Sequence, residues 1–353
     1  MPAMPRAGRA ALTCVLVAVP VLAHAMRPRD NLFAAAIPAA RTICAVGTFG
    51  SIYVSRDDGA TWTTRESGTK RPLFSVAFAD PEHGWIVGKS GTILHTDDGG
   101  ETWKAQQSPI KPGKHLFKVV ALDAKTAWAV GDWGAIVQTR DGGATWVDRS
   151  LGTLTVERTS APGRMMQTLT DDVIFYDIVF PDRLHGFMAG EFGTLLATED
   201  GGEHWRQIVL PTEKTIFGLD FTTPRDGWLV GIDGIIIHTH DGGQTWETQN
   251  GLVDTGEIED VSFVQAMQNP GLYAVRVSGD YGVVVGDAGA LFVTEDGGRH
   301  WTRESLPDKH KLTWMRDVTL ASRGTAFAVG AAGFVVALDG TTVALPAAPP
   351  KHP

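Results

Sequence analysis

Six short segments place a carboxylate at one fixed offset: SRDDGATW (Ser55–Trp62), TDDGGETW (Thr96–Trp103), TRDGGATW (Thr139–Trp146), TEDGGEHW (Thr198–Trp205), THDGGQTW (Thr239–Trp246) and TEDGGRHW (Thr294–Trp301). In each, Ser or Thr is followed by Asp two residues on, Gly four on and Trp seven on. The chemistry open to such a ring of acids (Asp57, Asp98, Asp141, Asp200, Asp241 and Asp296) is calcium ligation. The repeated position offers one carboxylate per turn where Ca²⁺ takes about six to eight oxygens, so a structural role fits better. The Asp accepts hydrogen bonds from its own turn, and the Gly takes a φ > 0 conformation. The aromatic residue (Trp62, Trp103, Trp146, Trp205, Trp246 or Trp301) opens the next strand and packs between neighbouring units. No metal and no cofactor are expected.

A second constellation comes from the strands that must carry these turns. Seven apolar runs close on a glycine: Gly47, Gly88, Gly131, Gly190, Gly231, Gly286 and Gly330. A G-x-x-G turn follows each, then a β-rich run, the box and a strand led by Trp. One more strand precedes each run: 32–37, 73–78, 116–121, 175–180, 215–221, 259–264 and 315–320. Four short strands per unit at this period predict an all-β fold, a seven-bladed β-propeller of four-stranded blades with Asp-box turns. The last blade keeps only ALDGTT in place of a box, as terminal repeats often do. Two insertions, 151–172 and 265–280, break the rhythm.

In this architecture the G-x-x-G turns and the links between blades share one face, and the boxes share the other. The first face carries the candidate binding residues Lys89, Asp132, Trp133, Glu191, Phe192, Asp233 and Asp287, with Trp314 and Arg316 at the last inner strand. The insertion 151–172, with Arg158 and Arg164, is expected to overhang it. The channel-lining slot holds Ser75, Lys118, Asp177, Gly218, Asp260 and Asp317. Three of these are acids and suggest the paired carboxylates of a glycosidase. Their repetition at one blade position points to architecture instead.

Other chemistries find little support. Sialidase chemistry needs an Arg triad and a Tyr nucleophile; the chain has four tyrosines, and only Tyr176 lies on an expected inner strand. No C-x-x-C, H-E-x-x-H, P-loop or G-x-S-x-G occurs. His95 and His238 share one repeat position and read as a blade-face slot. His204 and His300 replace the Thr of the box.

The chain has 353 residues, 41 glycines and a formal net charge of −9, which argues against nucleic-acid binding. Residues 1–25 read as a signal peptide: Arg6 and Arg9, an apolar run to Leu22, then Ala23-His24-Ala25. Cleavage leaves Cys44 alone, so no intrachain disulfide forms. The expected domain is 26–345, with a disordered tail 346–353, in an exported, periplasmic monomer.

The unit LFSVAFADPEHGWIVGKSGTILHTDDGGETW (73–103), echoed by IFGLDFTTPRDGWLVGIDGIIIHTHDGGQTW (216–246), resembles the repeat of the photosystem II assembly/stability factor family. The F-x-x-x-x-x-G-W-x-V-G-x-x-G spacing ahead of the box carries the resemblance, over about residues 30–340. It implies a secreted, non-catalytic propeller that binds subunits of a membrane-associated protein complex and helps them assemble. Similar propellers also occur in bacteria without photosystems. Arg71, Arg164 and Arg316 are candidates for the family's basic patch. The alternative is a sialidase-like or other glycoside hydrolase or glycan-binding propeller, since Asp-boxes occur there too.

Overall fold

A computed structural model describes residues 28–153, 156–158, 172–249, 269–322 and 324–344. The expected leader and tail, Arg164 and Asp260 lie outside these residues. Seven sheets, each built on four antiparallel strands consecutive in sequence, form the seven blades. The innermost strands are Leu32–Ala39, Leu73–Phe78, Leu116–Ala121, Phe175–Val179, Ile216–Phe221, Leu272–Ser278 and Met315–Ser322. Each touches the next, and the last touches the first, so the ring closes, with no sheet among the described residues drawing strands from both chain ends.

The core is divided among seven clusters, and each lies between two adjacent blades. Every box tryptophan packs against the blade before its own. Trp62 meets Phe327 and Val335, Trp146 meets Trp85, and Trp205 meets Trp128. A blade is therefore too thin to bury its own faces and depends on its neighbours, as repeat architectures do.

The turns explain the sequence periodicity. In each G-x-x-G turn the residue after the first Gly donates its N–H to a carbonyl just ahead of the inner strand, as Thr48 does to Asn31 at 3.0 Å and Lys89 to Pro72 at 2.9 Å. A Cβ at Gly47 would stand 2.0 Å from that Asn31 oxygen, so only glycine allows the approach. In the box, Asp98 Oδ1 accepts from Thr102 N and Thr96 Oγ, Oδ2 accepts from Thr102 Oγ1, and Thr96 Oγ1 accepts from Gly100 N. Both carboxylate oxygens are thus used inside their own turn.

Burial works against ionisation at Asp98 and Asp241, but the threonine donors outweigh it and hold both at about 2. An unfolded Asp titrates near pH 3.9. The folded values are depressed, so this stabilisation is present above about pH 4 and is lost as pH falls toward about 2. A double Asp98→Asn, Asp241→Asn variant is expected to unfold at lower temperature than the wild type at pH 6. The gap should narrow through that window in a pH series of thermal scans; a constant gap would show that charge plays no part.

One expectation needs correction. Residues 259–264 were expected as the inner strand of blade six, with 265–280 as an insertion. The inner strand is instead Leu272–Ser278, paired with Tyr281–Gly286. A two-residue hairpin of Gly279 (φ 60°) and Asp280 joins them, a turn that needs Gly at its first position. Ala274, not Asp260, therefore fills the channel slot. Of the insertion 151–172, the segment Val156–Arg158 runs parallel to Trp205–Val209 and adds a fifth strand to the outer edge of blade four, while 154–155 and 159–171 lie outside the described residues.

Cys44 is buried, and burial pushes its thiol up to about 12, so it is unreactive.

Candidate functional site

Every inner strand carries a β-bulge at its second residue. A bulge leaves that residue out of the ladder and re-aims its side chain. The seven residues so placed are Phe33, Phe74, Phe117, Tyr176, Phe217, Tyr273 and Arg316. Successive ring centroids lie 5.6, 5.4, 5.9, 5.1 and 5.5 Å apart from Phe33 round to Tyr273. Arg316 sits 4.3 Å over the Tyr273 ring, and Trp314 stacks on Phe33 at 6.1 Å. Together they rim a funnel of about 320 Å³ at the axis of the propeller, on the face of the G-x-x-G turns.

The floor is ionic. Lys118 Nζ lies 3.6 Å from Asp177 and 4.0 Å from Asp317, and Arg276 lies 3.9 Å from Asp177. The same acids stitch blades together. Asp177 accepts from Leu219 N, Asp317 from Ala35 N and Asp220 from Val277 N, while Ser75 Oγ accepts from Val119 N. Burial pushes Asp220 up, against the pull of the Arg276 charge. Each acid is thus held by a neighbouring backbone N–H or a cation, which leaves little freedom for general acid or base work.

Around the funnel, the third residue of each G-x-x-G turn, never a glycine, adopts a left-handed conformation, and the closing glycine continues it. These are Phe49 (φ 58°), Ser90 (57°), Trp133 (50°), Phe192 (55°), Asp233 (57°), Ala288 (49°) and Ala332 (49°). Such a conformation costs a non-glycine residue about 1–2 kcal/mol. Three of these strained residues are large and exposed: Phe49 at 73%, Phe192 at 62% and Trp133 at 54%. Strain held at an exposed aromatic suits a contact surface better than a fold element. Phe192→Gly is expected to leave thermal stability unchanged or to raise it by up to about 1 kcal/mol. A drop of more than about 1 kcal/mol in denaturant unfolding would count against the strain argument.

The described candidates read from sequence divide into four groups. Asp287, Trp314 and Arg316 line the funnel. Trp133, Phe192 and Lys89 stand on exposed turns. The acids are less free than expected: Asp132 accepts from His115 N, Glu191 from Ile174 N, Asp287 from the Tyr273 hydroxyl, and Asp233 pairs with Lys214 at 3.3 Å. Burial and the Asp287 hydrogen bond push Tyr273 up to about 12. Arg71 lies apart, in a shallow depression between blades one and two. The six aromatic rim residues were missed, although an aromatic in second place on six inner strands was visible in the sequence.

The family described as photosynthesis system II assembly factor YCF48 matches residues 66–155 and 203–313, more than half of the chain. The chain belongs to this family. Among curated relatives, the chloroplastic photosystem II stability/assembly factor HCF136 of Guillardia theta is 43% identical over 60 residues, 16% of this chain and 15% of that protein. The matched stretch is thus a small part of that relative's length. A solved structure of YCF48 bound to D1 peptide superposes with a TM-score of 0.65 at 20% identity, covering 89% of this chain and 95% of the other. The GH74 xyloglucanase of Xanthomonas campestris superposes with a TM-score of 0.67 at 13% identity, over 89% of this chain and 52% of that enzyme. At these identities the superpositions establish the fold, a seven-bladed propeller shared by assembly factors and glycosidases.

Proposed function

We propose that this chain is an exported, non-catalytic assembly factor that docks a segment of a membrane-protein subunit on the face of the G-x-x-G turns. The observation that carries the reading is the aromatic rim, closed by Arg316 and ringed by exposed Phe49, Trp133 and Phe192. Apolar anchors around a cation with no ion-pair partner among the described residues suit an extended peptide that ends in, or carries, a negative charge. The blades hold these groups still, so binding loses little loop entropy. Membership of the assembly-factor family supports the same reading, and so does the D1 peptide held by the YCF48 relative. The commitment of Asp177, Asp220 and Asp317 to backbone and cations supports a non-catalytic role over a glycosidase.

The test is capture of membrane proteins from a detergent-solubilised membrane fraction on immobilised chain, read by mass spectrometry, with a D1 peptide as a defined probe. A membrane-protein subunit retained by wild type and lost from a Trp133→Asp, Phe192→Asp variant supports docking on this face. Equal retention by that variant removes the face from consideration.

A further inference from the structure

The opposite face, at blade five, brings together three side chains that docking does not use. Asp226 stands in the turn before the strand Gly227–Gly231. His238 lies on the strand Ile236–Thr239, and His240 follows two residues later inside the box THDGGQTW. Successive strand residues alternate in direction, so a spacing of two brings both imidazoles to one side. The ladder pairs Trp228 with His238, which draws Asp226 alongside.

Asp226 Oδ1 lies 2.9 Å from His238 Nε2 and 2.8 Å from His240 Nδ1, and the three potential ligand atoms lie within 4.8 Å of one another. Zinc bonds of roughly 2.0–2.1 Å set tetrahedral ligand atoms about 3.3 Å apart, so modest side-chain rotation reaches ligating geometry. An outer shell is already built. Trp228 stacks on His238 at 4.2 Å, the Gln249 amide meets its Nδ1 at 2.9 Å, and Thr222 Oγ1 lies 3.4 Å from the second oxygen of Asp226. The His238 side chain is 0% exposed, while His240 at 62% and Asp226 at 34% leave one side open to water. Blade two places His83, His95 and Asp97 at the same three repeat positions, but there His83 turns to Asp80 at 2.9 Å. The convergence belongs to blade five.

We propose that Asp226, His238 and His240 form a site for a divalent transition-metal ion of the zinc type, with water in the remaining positions. Two imidazoles and one carboxylate favour zinc or copper over calcium or magnesium, which take oxygen ligands. The ion clips the first turn of blade five to its box. The bland alternative is that both imidazoles donate their N–H to one carboxylate oxygen and hold no ion.

The two differ in the tautomer of His238. With Gln249 donating to Nδ1, the proton lies on Nε2. Ligation through Nε2 moves it to Nδ1, so the Gln249 amide must turn and present its oxygen. That oxygen now accepts from the indoles of Trp228 at 3.2 Å and Trp301 at 3.3 Å. Metal binding therefore changes the surroundings of two tryptophans.

The experiment is calorimetric titration of Zn²⁺ into untagged, chelator-treated chain at pH 7.5, with tryptophan fluorescence recorded in parallel and Ca²⁺ as control. One equivalent of Zn²⁺ is expected to bind saturably with a fluorescence change, and Ca²⁺ to do neither. His240→Ala, at an exposed position, and Asp226→Asn should each weaken binding by about tenfold or more, the loss seen even for outer-shell partners. Circular dichroism verifies the fold of each, and His240→Gln replaces any variant that unfolds. Absence of saturable Zn²⁺ binding, or equal affinity in folded variants, overturns the proposal. Docking on the other face tests separately, because none of these residues reaches the funnel.

Discussion

Asp177→Ala is expected to lower the unfolding free energy by about 3–5 kcal/mol, the range for breaking a buried ion pair from one side. Its carboxylate is almost fully buried and faces Lys118 and Arg276 while accepting from the backbone of Leu219 in the next blade. Removing it takes the nearest carboxylate from both Lys118 and Arg276 and leaves the Leu219 N–H without its acceptor. Asp177→Asn separates the two effects. The amide oxygen still accepts from Leu219 N, so this variant isolates the charge, and it should fall between wild type and alanine. Chemical denaturation with the three proteins side by side reads both. A loss below about 1 kcal/mol for alanine would mean that water, rather than Asp177, solvates the two cations. Little activity-based selection needs to be invoked for the acid, because its position is explained by the ring of blades it helps to close.

That explanation also shows what the sequence could and could not reveal. The blade count was legible because glycine and Asp-box turns are local: Gly47 is required by a carbonyl sixteen residues upstream that recurs in each unit, and Asp98 bonds only within its own turn. Blade six was misread because residues 259–264 mimic an inner strand, while the stronger cue was the Ser278-Gly279-Asp280-Tyr281 hairpin. The funnel was harder. An aromatic on a half-buried strand ordinarily packs in a core, and only the bulge at each second position turns Phe74 or Tyr176 toward the axis. Asp132, Glu191 and Asp287 read as binding candidates because their partners, the N–H groups of His115 and Ile174 just ahead of an inner strand and the hydroxyl of Tyr273 on one, are brought near only by the closed turn. The blade-face slot assigned to His238 hid its convergence with Asp226 and His240 for the same reason: the three come from separate elements.

Reversing the charge of Arg316 should have the largest effect on docking. Arg316 occupies the single non-aromatic position of the rim, stacked on Tyr273, and has no carboxylate within ion-pair distance among the described residues. A cation without an internal partner is available to an incoming anion, and its guanidinium is pre-placed by the ring beneath it. Arg316→Glu removes the stacking and sets a carboxylate beside Asp287, so an acidic segment is repelled where it was attracted. Hot-spot arginines typically contribute about 2 kcal/mol or more, which is about a thirtyfold loss in affinity. Lys125→Glu makes the same change of charge on the Asp-box face and should leave docking intact. Raising salt separates steering from contact: a rim-exposed attraction weakens as the Debye length shrinks, whereas aromatic burial in the funnel does not. Phe117→Ala, which opens the apolar wall without altering charge, should therefore weaken docking equally at low and high salt. If Arg316→Glu and Lys125→Glu bind alike, the charge at the rim has no part in recognition, and the funnel acts through its apolar wall alone.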